Sequence, residues 1–146
     1  MDEKTSIMVE LILCFDNDID MNEITREIGL SPSRSTNRKD TRNPFFNRED
    51  RPEWWKYDGE HTCGSWTIET EYIQTELLED VLKDFLPKIH PYLERMKNVM
   101  TKYNGTAGFC IVPRICQEQT PALCFDRQFL DVVEFLNATF EIDMYL

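Results

Sequence analysis

Cysteine and histidine are the residues of this sequence that most suggest chemistry. The chain has two histidines and five cysteines in 146 residues. His61 and Cys63 have a spacing that metal ligands can have, and more thiolates could come from Cys110, Cys116 and Cys124. Structural zinc sites usually show two close ligand pairs, and this sequence has one loose pair. We therefore predict no metal site and no cofactor.

No pattern in the sequence indicates a catalytic nucleophile. A cysteine hydrolase needs a thiolate beside a positioned histidine, and no local motif around His61 or His90 supports one. The Gly-x-Ser-x-Gly elbow of serine hydrolases is absent. The five glycines do not cluster into a phosphate-binding loop. We assign no catalytic residue and favour a protein without enzymatic activity, although the residues leave the enzyme class open.

Residues 31–63 form a stretch that is rich in basic and aromatic side chains. Arginine and lysine could hold a phosphate or an acidic partner, and tryptophan and tyrosine are frequent interface anchors. An alternative is that this positive stretch folds back onto an acidic body, with its aromatic residues completing the core. The candidate binding residues are Arg34, Arg38, Lys39, Arg42, Arg48, Arg51, Trp54, Trp55 and Tyr57.

The overall charge is strongly acidic and excludes several classes of partner. Sixteen basic and 27 acidic side chains give a net charge of −11. A nucleic acid would repel such a chain through its phosphates, and an anionic membrane surface would do the same.

The longest apolar run near the start, Ile7 to Phe15, is interrupted by Glu10 and is too short to cross a membrane. The odd cysteine count and the acidic leader favour a cytoplasmic protein.

The apolar periodicity predicts an α+β fold. Alternation predicts strands, and steps of three or four predict helices. Asp20 or Asn22 can cap the first helix, and Gly29 can end it. In a second helical stretch, Pro87 and Pro91 predict a break after Leu86. Asp126 is predicted to cap the last helix, and Trp66 to be buried. The predicted strands are 7–15, 65–71, 107–113, 122–125 and a terminal one from Phe140 to Met144, and the predicted helices are 20–29, 78–86, a stretch ending at about 103, and 127–136.

These elements predict one domain over residues 1–146, with residues 31–63 as a long loop insertion. The order β-α-β-α-α-β-β-α-β favours an antiparallel or mixed sheet with helices packed mainly on one face, built from ferredoxin-like elements. Cys14, Cys110 and Cys124 fall in apolar, strand-like runs and are predicted to be buried as free thiols.

Four segments of the sequence resemble a known family. They are the strand, acidic turn and helix from Leu11 to Leu30, the turn Ser31-Pro-Ser-Arg34, the tripeptide Gly64-Ser-Trp66, and the ending Phe140-Glu-Ile-Asp-Met-Tyr145. Over roughly residues 7–145 the chain resembles the bacterial family called domain of unknown function 4279. The resemblance implies a fold and a bacterial origin, and it implies no activity and no catalytic residue.

The sequence favours a non-catalytic module that binds a protein partner. An acidic surface suits a basic partner, because opposite charges steer the encounter. An immunity-type role, in which a small acidic protein neutralises a basic toxin, is a narrower hypothesis of the same kind. The alternative is a small-molecule or anion binder, or an enzyme, that uses the Ser31–Cys63 loop over the sheet. Self-association into a homodimer through an open edge strand is a further hypothesis.

Overall fold

A mixed β-sheet with helices against one face forms the part of the chain that the structure describes. The structure is a computed structural model that describes residues 3–41 and 63–146, without the side chains of residues 40 and 41. The strands in these ranges are β1 (Ser6–Phe15), β2 (Arg34–Thr36), β3 (Gly64–Glu69), β4 (Ile73–Gln74), β5 (Gly105–Arg114) and β6 (Thr139–Ile142). The helices are α1 (Met21–Ile28), α2 (Arg38–Thr41), α3 (Leu78–Ile89), α4 (Leu93–Tyr103) and α5 (Arg127–Phe135). The predicted α+β class is confirmed.

Strand β1 lies in the middle of the sheet. The strand order is β2-β3-β1-β5-β6, and β4 pairs with the start of β1. β1 is antiparallel to β3, β4 and β5, whereas β6 runs parallel to β5. Because strand side chains alternate between the two faces, every second residue of β1 points to the helices. These residues are fully buried: Ile7, Val9, Leu11, Leu13 and Phe15.

Helix α1 begins and ends as its sequence predicts. The Asp20 carboxylate accepts a hydrogen bond from the Asn22 backbone N–H at 2.9 Å, which makes Asp20 the N-cap. Gly29 ends the helix with a φ of 80°, a left-handed conformation that glycine adopts without strain. The helix packs on β3, where the Trp66 indole N–H donates to the Thr25 hydroxyl at 3.1 Å. Trp66 is completely buried, as predicted.

The predicted break between two helices is present, but it lies after Ile89 and not after Leu86. Helix α3 continues through Pro87 to Ile89, and a 3₁₀ turn at His90–Tyr92 then joins it to α4. Proline at this position removes the hydrogen bond that an amide would donate to the Lys83 carbonyl. Both Lys83 and Pro87 are exposed, so water can satisfy that carbonyl and the last turn tolerates the proline.

The predicted strand at residues 122–125 is wrong. Ala122 alone makes an isolated bridge, to Leu77, and Cys124 is exposed where a buried thiol was expected. The segment is short because Pro121 precedes it and Asp126 caps α5 by accepting a hydrogen bond from the Phe129 N–H at 2.9 Å. The prediction for Asp126 as an N-cap is confirmed.

Part of the predicted 31–63 loop has regular structure. Strand β2 and helix α2 lie inside it, and β2 pairs with β3 through Arg34, Ser35 and Thr36. All three residues of β2 are exposed, so no apolar alternation marks this edge strand in the sequence. Residues 42–62 of the loop lie outside the described residues.

In the described ranges, no helix has the length and apolar character that crossing a membrane requires.

Candidate functional site

The sheet face opposite the described helices is the candidate functional surface, and we call it the open face. A row of four side chains crosses it at one level, because Glu69 of β3 is paired with Glu10 of β1, Glu10 with Cys110 of β5, and Cys110 with Glu141 of β6. Neighbouring strands lie about 4.8 Å apart. The open face therefore concentrates three carboxylates along one line.

Arginine 34 holds two of these carboxylates together. Its guanidinium donates to Glu10 Oε1 at 3.0 Å and also to Glu69 Oε2. Burial lowers the pKa of Arg34, but its hydrogen bond to Glu10 and the charges of Glu10 and Glu69 raise that pKa above its ordinary value overall. Glu10 is only 8% exposed, so it needs this partner, since a buried unpaired carboxylate is costly.

A pocket of about 850 Å³ opens on the β1–β5 side of the open face. Arg114 stacks over the ring of Tyr72, with its guanidinium carbon 4.1 Å from the ring centre. Near it, the Tyr145 hydroxyl donates to Asp143 Oδ2 at 3.1 Å, which raises the pKa of Tyr145. The lining thus mixes aromatic, acidic and basic groups: Glu3, Met8, Glu10, Tyr72, Cys110, Val112, Arg114, Ile115, Cys116, Gln117, Asp143, Tyr145 and Leu146.

Two cysteines on the open face are poor nucleophiles. Burial raises the pKa of Cys110 to about 11, helped by the negative charges of Glu10, Glu141 and Asp143. Burial also raises the pKa of Cys14 to about 12, with a further rise from the thiol of Cys63. Because the thiolate is the reactive form, neither side chain has the property that a catalytic cysteine needs.

This protonation state predicts slow alkylation in the folded protein. At pH 8 we expect Cys14 and Cys110 to react with iodoacetamide at least ~10-fold more slowly in buffer than in urea. Burial disfavours both thiolates in the folded chain, so the stability of the fold is unaffected by these thiols below pH 9 and falls as the pH rises from 9 to about 11 or 12. Peptide mass spectrometry of timed samples measures the rates, and equal rates in buffer and urea would contradict the assignment.

The structure brings two of the predicted binding residues into contact with acidic side chains of the same chain. Arg34 contacts Glu10 and Glu69, and Arg38 lies 3.5 Å from Asp18. Lys39 is exposed on α2. The remaining candidates lie outside the described residues: Arg42, Arg48, Arg51, Trp54, Trp55 and Tyr57. The acidic row was not predicted from the sequence. The available signal was Glu10, a charged residue in an otherwise apolar central strand, since a buried carboxylate needs a partner.

The ligand types proposed from the sequence are dispersed. No three histidine, cysteine, aspartate or glutamate side chains come together as a metal site within residues 3–41 and 63–146. Cys110 and Cys116 line the same pocket, whereas Cys124 is exposed elsewhere. His61 is outside the described ranges.

Comparison with known proteins gives a family and no closer relative. No curated protein and no solved structure matches the chain significantly. One family model, described as "Domain of unknown function (DUF4279)", matches residues 4–146. The match covers nearly the whole sequence and confirms the resemblance of the four segments, and the chain therefore belongs to the DUF4279 family.

Proposed function

We propose that the protein is a non-catalytic binding module that receives a basic protein partner on the open face of its sheet. The observation that carries this proposal is the acidic row of Glu69, Glu10 and Glu141. Asp143 adds a fourth carboxylate beside the pocket. Two cations of the described residues lie beside these carboxylates: Arg34 is already paired with two glutamates, and Arg114 stacks on Tyr72. The summed charge of these described side chains is negative, which suits a cationic surface.

The narrower form of this proposal is an immunity-type role in the cytoplasm of a bacterium. A toxin that acts on nucleic acid needs a positive surface to bind phosphates, and an acidic protein can cover such a surface. Charge complementarity also gives fast association, which such a role requires.

Charge reversal at the edge of the row tests the proposal. We expect Glu141→Lys with Asp143→Lys to reduce the capture of basic proteins at least ~10-fold, because like charges would then face the partner. The measurement is affinity capture from a lysate of the cells that express the protein, with quantitative mass spectrometry. Each captured protein is then purified, and its affinity is measured at several salt concentrations.

A matched variant controls for net charge. Asp84→Lys with Glu134→Lys makes the same charge change at exposed positions of α3 and α5, on the helical side of the sheet. It should retain at least half of the wild-type capture. Equal losses in both variants, or capture that involves no basic protein, would refute binding through the open face.

A small-molecule binder is the second candidate, and the pocket favours it. Its volume of about 850 Å³ lies within the range of ligand sites. Arg114 and the Tyr72 ring could hold a planar or anionic molecule. Native mass spectrometry of the freshly purified protein, compared with its denatured mass, distinguishes the two. An extra mass that is lost on denaturation would favour this candidate.

A further inference from the structure

Strand β6 has an edge that is not paired within the described part of the chain. It hydrogen-bonds to β5 on one side, and no other described strand flanks it. All four of its residues are exposed. An unpaired edge presents a row of backbone donors and acceptors to which another extended segment can bind.

The hydrogen bonds around β6 show which backbone groups face outward. The amides of Asp143 and Tyr145 donate to the carbonyls of Ile111 and Pro113, at 2.9 Å each. Backbone groups alternate in direction along a strand, so the intervening residues point away from β5. The outward N–H and C=O groups therefore belong to Phe140, Ile142 and Met144.

The two sides of this edge differ in chemistry. Phe140 and Ile142 are paired with Phe109 and Ile111, which places them on the helical side of the sheet. They and Met144 remain 41%, 41% and 51% exposed. Glu141 belongs to the acidic row of the open face, and Asp143 lines the pocket there. The edge is apolar on one side and acidic on the other.

We propose that β6 binds an extended segment of the basic partner as an additional strand, in which basic and apolar residues alternate. The apolar residues would cover Phe140, Ile142 and Met144, and the basic residues would face Glu141 and Asp143. Residues that lie side by side in a sheet share a face, so this pattern holds for either strand direction. The inference rests on the proposed function and names the element and the sequence pattern that the partner uses.

A second copy of the chain fits this edge poorly. Antiparallel pairing of β6 with another β6 would bring Glu141 and Asp143 of both copies onto one face, and parallel pairing about a twofold axis would place them beside the apolar residues of the other copy. Like charges opposite each other destabilise a sheet, and each copy carries a net charge of −11. The charges on this edge therefore select a cationic strand.

A synthetic peptide tests the proposal directly. The probe is acetyl-Lys-Val-Lys-Val-Lys-Val-amide, and amide hydrogen exchange is followed residue by residue by NMR on the whole protein. We expect saturating peptide to slow exchange at Phe140, Ile142 and Met144 at least tenfold. The amide of Asp143, which already donates to the Ile111 carbonyl, should change less than twofold.

Two control peptides separate strand addition from simple charge attraction. Replacing each lysine with glutamate should abolish the protection. Methylating every backbone nitrogen keeps the charges and removes the donors, and it should abolish the protection as well. Protection that survives full methylation, or no protection at saturating lysine peptide, would overturn strand addition. The proposed function would still stand if the Glu141→Lys, Asp143→Lys variant lost its basic partner in the capture experiment, so the two failures are distinguishable.

Discussion

Replacing Trp66 with alanine is expected to lower the free energy of unfolding by about 3–5 kcal/mol. The indole is completely buried on β3, opposite Leu13, and it packs between the central strand and α1. Removing it leaves a cavity that the surrounding strands cannot close fully. Urea unfolding at pH 7, followed by circular dichroism, gives the free energy from the midpoint and slope.

Two further substitutions divide this loss into packing and hydrogen bonding. Trp66→Phe keeps most of the apolar volume, and it should cost less than half as much as the alanine variant. Thr25→Val removes the acceptor of the indole N–H and should cost about 1–3 kcal/mol, because it leaves a buried donor unpaired. If Trp66→Ala cost less than 1 kcal/mol, the assignment of Trp66 to the core would be incorrect.

Replacing Arg34 with alanine is expected to cost about 1–3 kcal/mol. The change leaves Glu10 nearly buried and without its cation, opposite a second carboxylate on Glu69. Breaking a buried ion pair typically costs about 3–5 kcal/mol. The guanidinium here is half exposed, and solvent screening reduces the figure. The same urea titration measures it.

A double-mutant cycle shows whether this loss of stability comes from the unpaired carboxylate of Glu10. Glu10→Gln removes the charge and keeps the shape of the side chain. In that background the Arg34→Ala change should cost at least 1 kcal/mol less than it costs in the native sequence. Equal costs in the two backgrounds would mean that Arg34 stabilises the fold through the packing of β2 and not through Glu10.

The fold was predictable where the sequence shows strong periodicity or clear capping. Strand β1 has nine alternating positions with one wholly apolar face, and Asp20, Gly29 and Asp126 mark the ends of their helices. Elements without such features escaped prediction. Strand β2 consists of three exposed polar residues with no apolar alternation, and it is extended because it pairs with β3. The Pro87 error arose because a proline in a solvated last turn costs little.

The candidate site was harder to predict because it depends on the strand register. Glu10, Glu69 and Glu141 are far apart in sequence and meet only through the pairing of four strands. Arg34 stood out in the sequence as a basic loop residue that could bind an external anion. Its partners are glutamates of its own sheet. The neighbouring sequence of a surface charge does not show which residue it will pair with.

The central position of β1 also determines when the sheet can assemble. Its neighbours on either side, β3 and β5, begin at Gly64 and Gly105, so its pairings span roughly 50 to 100 residues of chain. Proteins with such non-local pairings fold slowly. At synthesis rates of about 5–20 residues per second, β1 remains without its β5 partner for several seconds after it has been synthesised. During that interval Glu10 is the one charged residue within β1, and it discourages the strand from pairing with another chain.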